Sequence, residues 1–321
     1  LDESAAIGEN RAQRPASEDS MRLDDAPESQ NIEDRRGDSP MSSGGLPMGR
    51  GGLGIGTIVV LGLIGWALGI DPRVLIGGAE IFSGNPTQQS APSSPSTKTG
   101  VPSDELGRWV SRVLGTTEVE WKKIFEQSGG TYRAPTLVMF NGQTNANQCG
   151  LAQTAMGPFY CPPDQKVYLD TSFFRDIERR FKGCEGSSCK FAQAYVIAHE
   201  VGHHVQNQLK ILPKVQEQQR AMGKADANRL QVRVELQADC LAGVWANRAS
   251  QDFKNLVETG DVEAALQTAA AIGDDRLQQQ AQGRVIPDSF THGTSEQRQR
   301  WFTNGYRQGT VAACNTFAAE P

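Results

Sequence analysis

The 321-residue chain holds only four histidines, and no cysteine precedes Cys149. It also lacks a basic surplus: 32 Lys and Arg stand against 37 Asp and Glu, a formal charge of −5. Residues 1–50 carry eleven acids and six bases, so the rest of the chain is close to neutral. Without clustered Lys and Arg there is no footprint for a phosphate backbone, and a nucleic-acid partner is excluded. Apolar residues make up only 38%, beside 34 glycines and 16 prolines, which points to sizeable parts without a packed core. No two cysteines have C-x-x-C spacing, which argues against a cysteine-ligated zinc. There is no internal repeat.

What is there divides unevenly. Residues 1–50 are charged, poor in large apolar residues and rich in Gly, Pro and Ser, the composition of a disordered acidic tail. Met21 is a candidate start beside Leu1. Residues 51–70 contain no charge, and twenty residues of helix span ~30 Å, the thickness of a bilayer core. Seven glycines in that run would cripple a soluble helix, and Asp71-Pro72-Arg73 follows where a signal peptide would need small residues. The expectation is one transmembrane helix, with small-xxx-small spacing at Gly52/Gly56 and Gly65/Gly69. Arg35, Arg36 and Arg50 before it against Arg73 after it place the N-terminus in the cytoplasm and the bulk in the periplasm or outside the cell.

Residues 71–103 read as a Ser/Pro/Thr-rich linker, and 104–321 as one domain with a real core. All six cysteines lie there, as expected of disulfides in an oxidising compartment. Fifteen pairings are possible; the favoured set joins Cys149 to Cys161, Cys184 to Cys189 and Cys240 to Cys314. Periodicity predicts helices at 105–127, 171–181, 191–212, 228–249, 262–280 and 295–306, and strands at 136–140, 157–160 and 166–169. Strands followed by a run of helices make an α+β fold.

The chemistry sits at His199-Glu200-Val201-Gly202-His203. On a helix, positions i and i+4 lie about 40° apart, so His199 and His203 can grip one ion. Glu200 is turned about 100° away, beside the metal, where a general base for the attacking water belongs. His204 falls near Ile197 and Val201 and is expected to face the core. A catalytic zinc keeps three protein ligands and an open position. Gln206 and Leu209 stand where H-E-x-x-H-x-x-G-x-x-H would need Gly and His, so the third ligand lies downstream. Glu235 and Asp239 share one flank of the helix at 228–249, an acidic pair that is costly on a half-buried face unless it binds something. Glu235 is the candidate ligand, and Asp239 the acceptor for a histidine's free N–H. Glu217 is less attractive, because its helix is polar throughout. His292 precedes a capping box, Thr294 with Gln297, and is either an oxyanion donor or a loop residue packed against the cap.

Four segments together resemble the bacterial neutral zinc metallopeptidase family of the YpfJ type. They are His199-Glu-Val-Gly-His-His204, Glu235-Leu-Gln-Ala-Asp-Cys240, Ala155-Met-Gly-Pro-Phe-Tyr-Cys161 and Thr291-His-Gly-Thr-Ser295. Glu28-Ser-Gln-Asn-Ile-Glu-Asp-Arg-Arg36 resembles the tail that precedes that family's membrane span. The resemblance implies a zincin-like, gluzincin-type fold and a membrane-anchored zinc peptidase with one Zn²⁺ per chain. It also implies the roles given above for His199, Glu200, His203, Glu235, Asp239 and His292. A peptide or protein is the expected substrate, and by fold analogy an extended one would pair with a strand near 156–160. A zinc amidase acting on cell-wall or small amides and a non-catalytic zinc adaptor are the competing functions. An intact Glu200 argues against the adaptor, since a structural site needs no base.

Overall fold

A computed structural model describes Met21 and residues 23–38, 97–179, 184, 189–254, 256–258 and 260–318. Asp104 opens the first helix, α1 (Glu105–Gln127), by accepting from the Gly107 backbone N–H. The helix buries Val110, Val113, Leu114 and Trp121, a stripe with helical spacing. The strands are β1 (Ile32–Asp34), β2 (Lys98–Thr99), β3 (Thr136–Phe140), β4 (Gln143–Asn145), β5 (Leu151–Gln153), β6 (Phe159–Cys161) and β7 (Lys166–Asp170). Five of them form one sheet in the order β2-β1-β3-β7-β6, in which β3 is parallel to β1 and β7 while β2 and β6 run antiparallel at the edges. Alternation splits the sheet's two faces. Leu137, Met139, Val167 and Leu169 join the main core; Val138, Phe140 and Tyr168 form a second cluster with Ala146, Ala152 and Cys161, beside the small β4–β5 hairpin.

The helices that follow are α2 (Phe173–Arg179), α3 (Cys189–Gln208), α4 (Ile211–Gln219), α5 (Lys224–Asp252), α6 (Asp261–Ala271), α7 (Asp274–Gln282) and α8 (Ser295–Gln308). Two expected helices are each broken. The one at 191–212 stops after Gln208, because Lys210 takes a left-handed backbone (φ 63°) and starts α4 in a new direction. The one at 262–280 breaks at Ile272–Gly273, and α7 begins at Asp274. Helices α5 and α8 meet backbone to backbone: a Cβ on Gly305 would stand 1.9 Å from the Cys240 carbonyl oxygen, and one on Gly243 2.2 Å from that of Phe302. Only glycine allows that approach. Disulfides join Cys149 to Cys161, Cys184 to Cys189 and Cys240 to Cys314, leaving no free cysteine among the described residues. The last ties the C-terminal segment to α5.

The membrane assignment does not hold. The span expected at 51–70 lies outside the described residues, and among the described residues no helix is long and apolar enough to cross a membrane. The two-sided topology built on that span is overturned by the sheet itself. β1, from the supposed cytoplasmic tail, pairs with β2 on one side and β3 on the other, with Ile32 opposite Leu137 and Asp34 opposite Lys98. Met21, Leu23 and Ile32 are buried in the main core. Residues 21–38 and the domain are therefore one folded body on one side of any boundary. The single-pass inner-membrane topology, with a cytoplasmic N-terminus, a periplasmic domain and anchoring through one helix between them, is therefore not supported. Composition misled here because the segment's charges looked solvated. Glu33 instead pairs with Lys166 and Arg35, and Arg36 bridges Asp34 and Asp104.

Candidate metal centre

The centre is built where α3 lies against α5. Gly202 sits at that contact, where an added Cβ would stand 3.0 Å from the Ala238 carbonyl oxygen. The close approach brings Glu235 Oε2 to 3.3 Å from His199 Nε2 and 3.4 Å from His203 Nε2. The three ligand atoms lie within 4.8 Å of one another. They open into a cleft of about 590 Å³, walled by Met156–Tyr160 on one side and by Leu212, Val215 and Gln219 of α4 on another.

Each ligand is held from behind. Asp239 accepts from His199 Nδ1 at 2.9 Å, and from Tyr195 Oη and both Nε and Nη of Arg298 at 2.5–2.9 Å. Burial disfavours the Asp239 carboxylate, but Arg298 and His199 outweigh it and hold its pKa below the usual range. His203 Nδ1 donates to Gln206 Oε1 at 2.9 Å, and Glu235 Oε1 accepts from Gln231 Nε2 at 2.8 Å. With both Nδ1 atoms committed as donors, each Nε2 presents a lone pair towards a carboxylate oxygen. Burial works against charge on the two imidazoles, yet Asp239 and Glu235 raise their pKa values. Positive charge is thus favoured where two nitrogens and one oxygen converge. Zinc fits that donor set, and the residues that would hold it are His199, His203 and Glu235.

Glu200 is buried beside the pair at the cleft, and burial raises its pKa. His292 also lines the cleft, 3.2 Å from Asp274 Oδ1 through Nδ1. Asp274 fastens the loop by accepting from the backbone N–H groups of Thr291, His292 and Gly293, and α8 opens with the capping box of Thr294 and Gln297. His204 points away from the centre. Its Nδ1 lies 3.0 Å from Tyr160 Oη and its Nε2 2.6 Å from the Arg133 carbonyl, and burial pulls its pKa down to about 4.

Five supports escaped sequence reasoning: Tyr195, Arg298, Gln206, Gln231 and Gln237. Arg298 carried the one usable signal, as a charge in the apolar stripe of α8 beside Trp301 and Phe302. The glutamines looked like polar surface, yet Gln206 and Gln237 are buried and Gln231 is half-buried.

Two histidines one turn apart, joined by a glutamate from a later helix with Glu200 beside them, define a gluzincin-like zinc peptidase. The chain belongs to the family described as Putative neutral zinc metallopeptidase, whose model matches residues 21–317. It is 47% identical over 302 residues to the uncharacterized protein YpfJ of Escherichia coli (strain K12), covering 92% of this chain and 99% of that one. It is 43% identical over 219 residues to the uncharacterized protein Rv2575 of Mycobacterium tuberculosis (strain ATCC 25618 / H37Rv), covering 65% of this chain and 70% of that one. No solved structure matches.

Proposed function

We propose that this zinc metallopeptidase cleaves peptide bonds with Glu200 as general base and His292 as donor to the oxyanion. The observation that carries this is the convergence of His199, His203 and Glu235 at a cleft into which Glu200 also opens. Zinc, when bound, supplies Lewis-acid polarisation of the scissile carbonyl and makes the attacking water more acidic. Glu200 takes a proton from that water on a carboxylate oxygen and hands it to the departing amine nitrogen. Its raised pKa suits both halves of that transfer. Asp239 keeps the His199 proton on Nδ1, so that Nε2 stays a ligand. Partial burial works against a charge on His292, but Asp274 raises its pKa. With Nδ1 bonded to Asp274, an imidazolium has its Nε2–H left to donate.

A peptide suits the cleft better than a small amide. Among the described residues β6 is an edge strand, paired only with β7, and residues 156–160 line the cleft. Its outer backbone groups offer an extended chain a strand to join.

The test is Glu200→Gln, which keeps size and hydrogen-bonding reach but cannot take the proton. Zinc content should stay near one per chain, while peptidase activity falls at least ~10²-fold. Full turnover by the variant, on a peptide that the wild type cleaves, would remove Glu200 from the mechanism. Proteome-wide profiling of new N-termini, wild type against this variant, would identify the substrates.

A further inference from the structure

We infer that Gln206, backed by Gln237, is a positioning residue for the metal, fixing His203 with its proton on Nδ1 and its Nε2 free to ligate. An amide side chain can sit either way round, so what matters is what sets its orientation. Gln206 is fully buried. Its Nε2 donates to the Val234 carbonyl at 2.7 Å and to Gln237 Oε1 at 3.0 Å. Both N–H groups are thereby used, and Oε1 is what remains for His203, 2.9 Å away.

Gln237 is oriented in the same manner. Its Nε2 donates to the Cys314 carbonyl at 2.8 Å, which turns its Oε1 towards Gln206. Cys314 is in turn bonded to Cys240, one turn along α5 from Gln237. A carbonyl that can only accept therefore sets the direction of every bond in the row. Cys314 C=O fixes Gln237, Gln237 and Val234 C=O fix Gln206, and Gln206 fixes the tautomer of His203. Reversing either amide would put oxygen against oxygen at a buried position.

The inference rests on zinc binding at this centre and not on the peptidase reaction, so it is tested by metal affinity. Gln206→Met and Gln237→Met keep approximate volume and remove the amide. Zinc affinity would be measured on the full chain by competition with a chromophoric chelator, and thermal unfolding would be followed on metal-free and zinc-loaded samples. Gln206→Met should weaken zinc by ~10-fold or more. Gln237→Met should weaken it less, by roughly threefold, because Gln206 keeps the Val234 carbonyl. The zinc-induced rise in unfolding temperature should shrink in the same order, a change that a purely structural role would not produce. If Gln206→Met does not fold, Gln237→Met decides: wild-type affinity in the folded variant overturns the relay. Equal and unchanged affinity in both overturns it as well. Failure of the wild type to bind zinc would instead refute the metal centre itself.

Discussion

The two imidazoles that face Glu235 come from one turn of one helix, yet their far nitrogens are held by different chemistry. Behind His199 stands a buried ionic cluster in which Asp239 takes bonds from His199, Tyr195 and a bidentate Arg298. Behind His203 stands a row of neutral amides that ends on a backbone carbonyl. The first support is strong but dangerous to break, because a lone buried charge is costly. The second carries no charge, and its value lies in direction alone. Charged and neutral supports should therefore fail differently, one mainly in folding and the other mainly in metal affinity.

The largest expected effect is on the charged side. Arg298→Met leaves Asp239 buried beside one imidazole and one phenol, and stability should drop by about 3–5 kcal/mol. Urea unfolding of metal-free protein measures it; a cost under ~1 kcal/mol would mean that the two supports are not energetically distinct.

His204 extends the comparison to a third histidine on the same helix, one held by Tyr160 and a carbonyl in neutral form. Its pKa is lowered to about 4 from 6.5, so the unfolded chain binds the proton more readily. Stability from this group is complete above about pH 6.5 and is lost as pH falls towards 4. The full loss is up to ~3 kcal/mol, an upper bound. Urea midpoints of wild type and His204→Gln, compared at pH 7 and pH 4.5, should converge at the lower pH. Parallel midpoints would show that His204 is not held neutral.

Asp239→Asn strips the buried Arg298 of its counter-charge, so it too should cost stability, and its effect on the metal is read separately. The substitution keeps the three ligands and roughly the shape, and replaces a charged acceptor with an amide like that of Gln206. Zinc affinity should fall by roughly 10–100-fold. An unchanged affinity would mean that charge behind His199 contributes nothing beyond orientation, and the contrast between the two sides would collapse.

The two halves of the site were unequally legible in the sequence. His199, Glu200 and His203 could be read because a helix turns local spacing into shared direction. Glu235 and Asp239 could be read because two acids on a half-apolar helix call for a reason. Arg298 is marked locally only as a charge in an apolar stripe, and nothing local marks Gln206, Gln237 or Tyr195, whose roles depend on partners from other helices or from the C-terminal segment. The same blindness hid β1. Ile32 is its one buried apolar residue, Glu33 is matched by Lys166 far along the chain, and Asp34 by Arg36, which also reaches Asp104. β4 and β5 went unread because three-residue strands such as Gln143–Asn145 carry no alternation to detect.

β1 and β2 are antiparallel neighbours, Asp34 opposite Lys98, so the chain leaves the sheet and comes back beside the strand it left. Loop-closure entropy rises only slowly with length, so the sheet is nearly indifferent to how much chain lies between. One consequence is that the domain's wholeness does not depend on that connection being covalent. A protease that cut once within 39–96 would yield two polypeptides, the shorter contributing an inner strand bonded on both sides. Such a nicked protein should migrate as one particle in native gel filtration and as two bands after denaturation. Loss of the 21–38 fragment on the column would show that the strand is held by tethering alone.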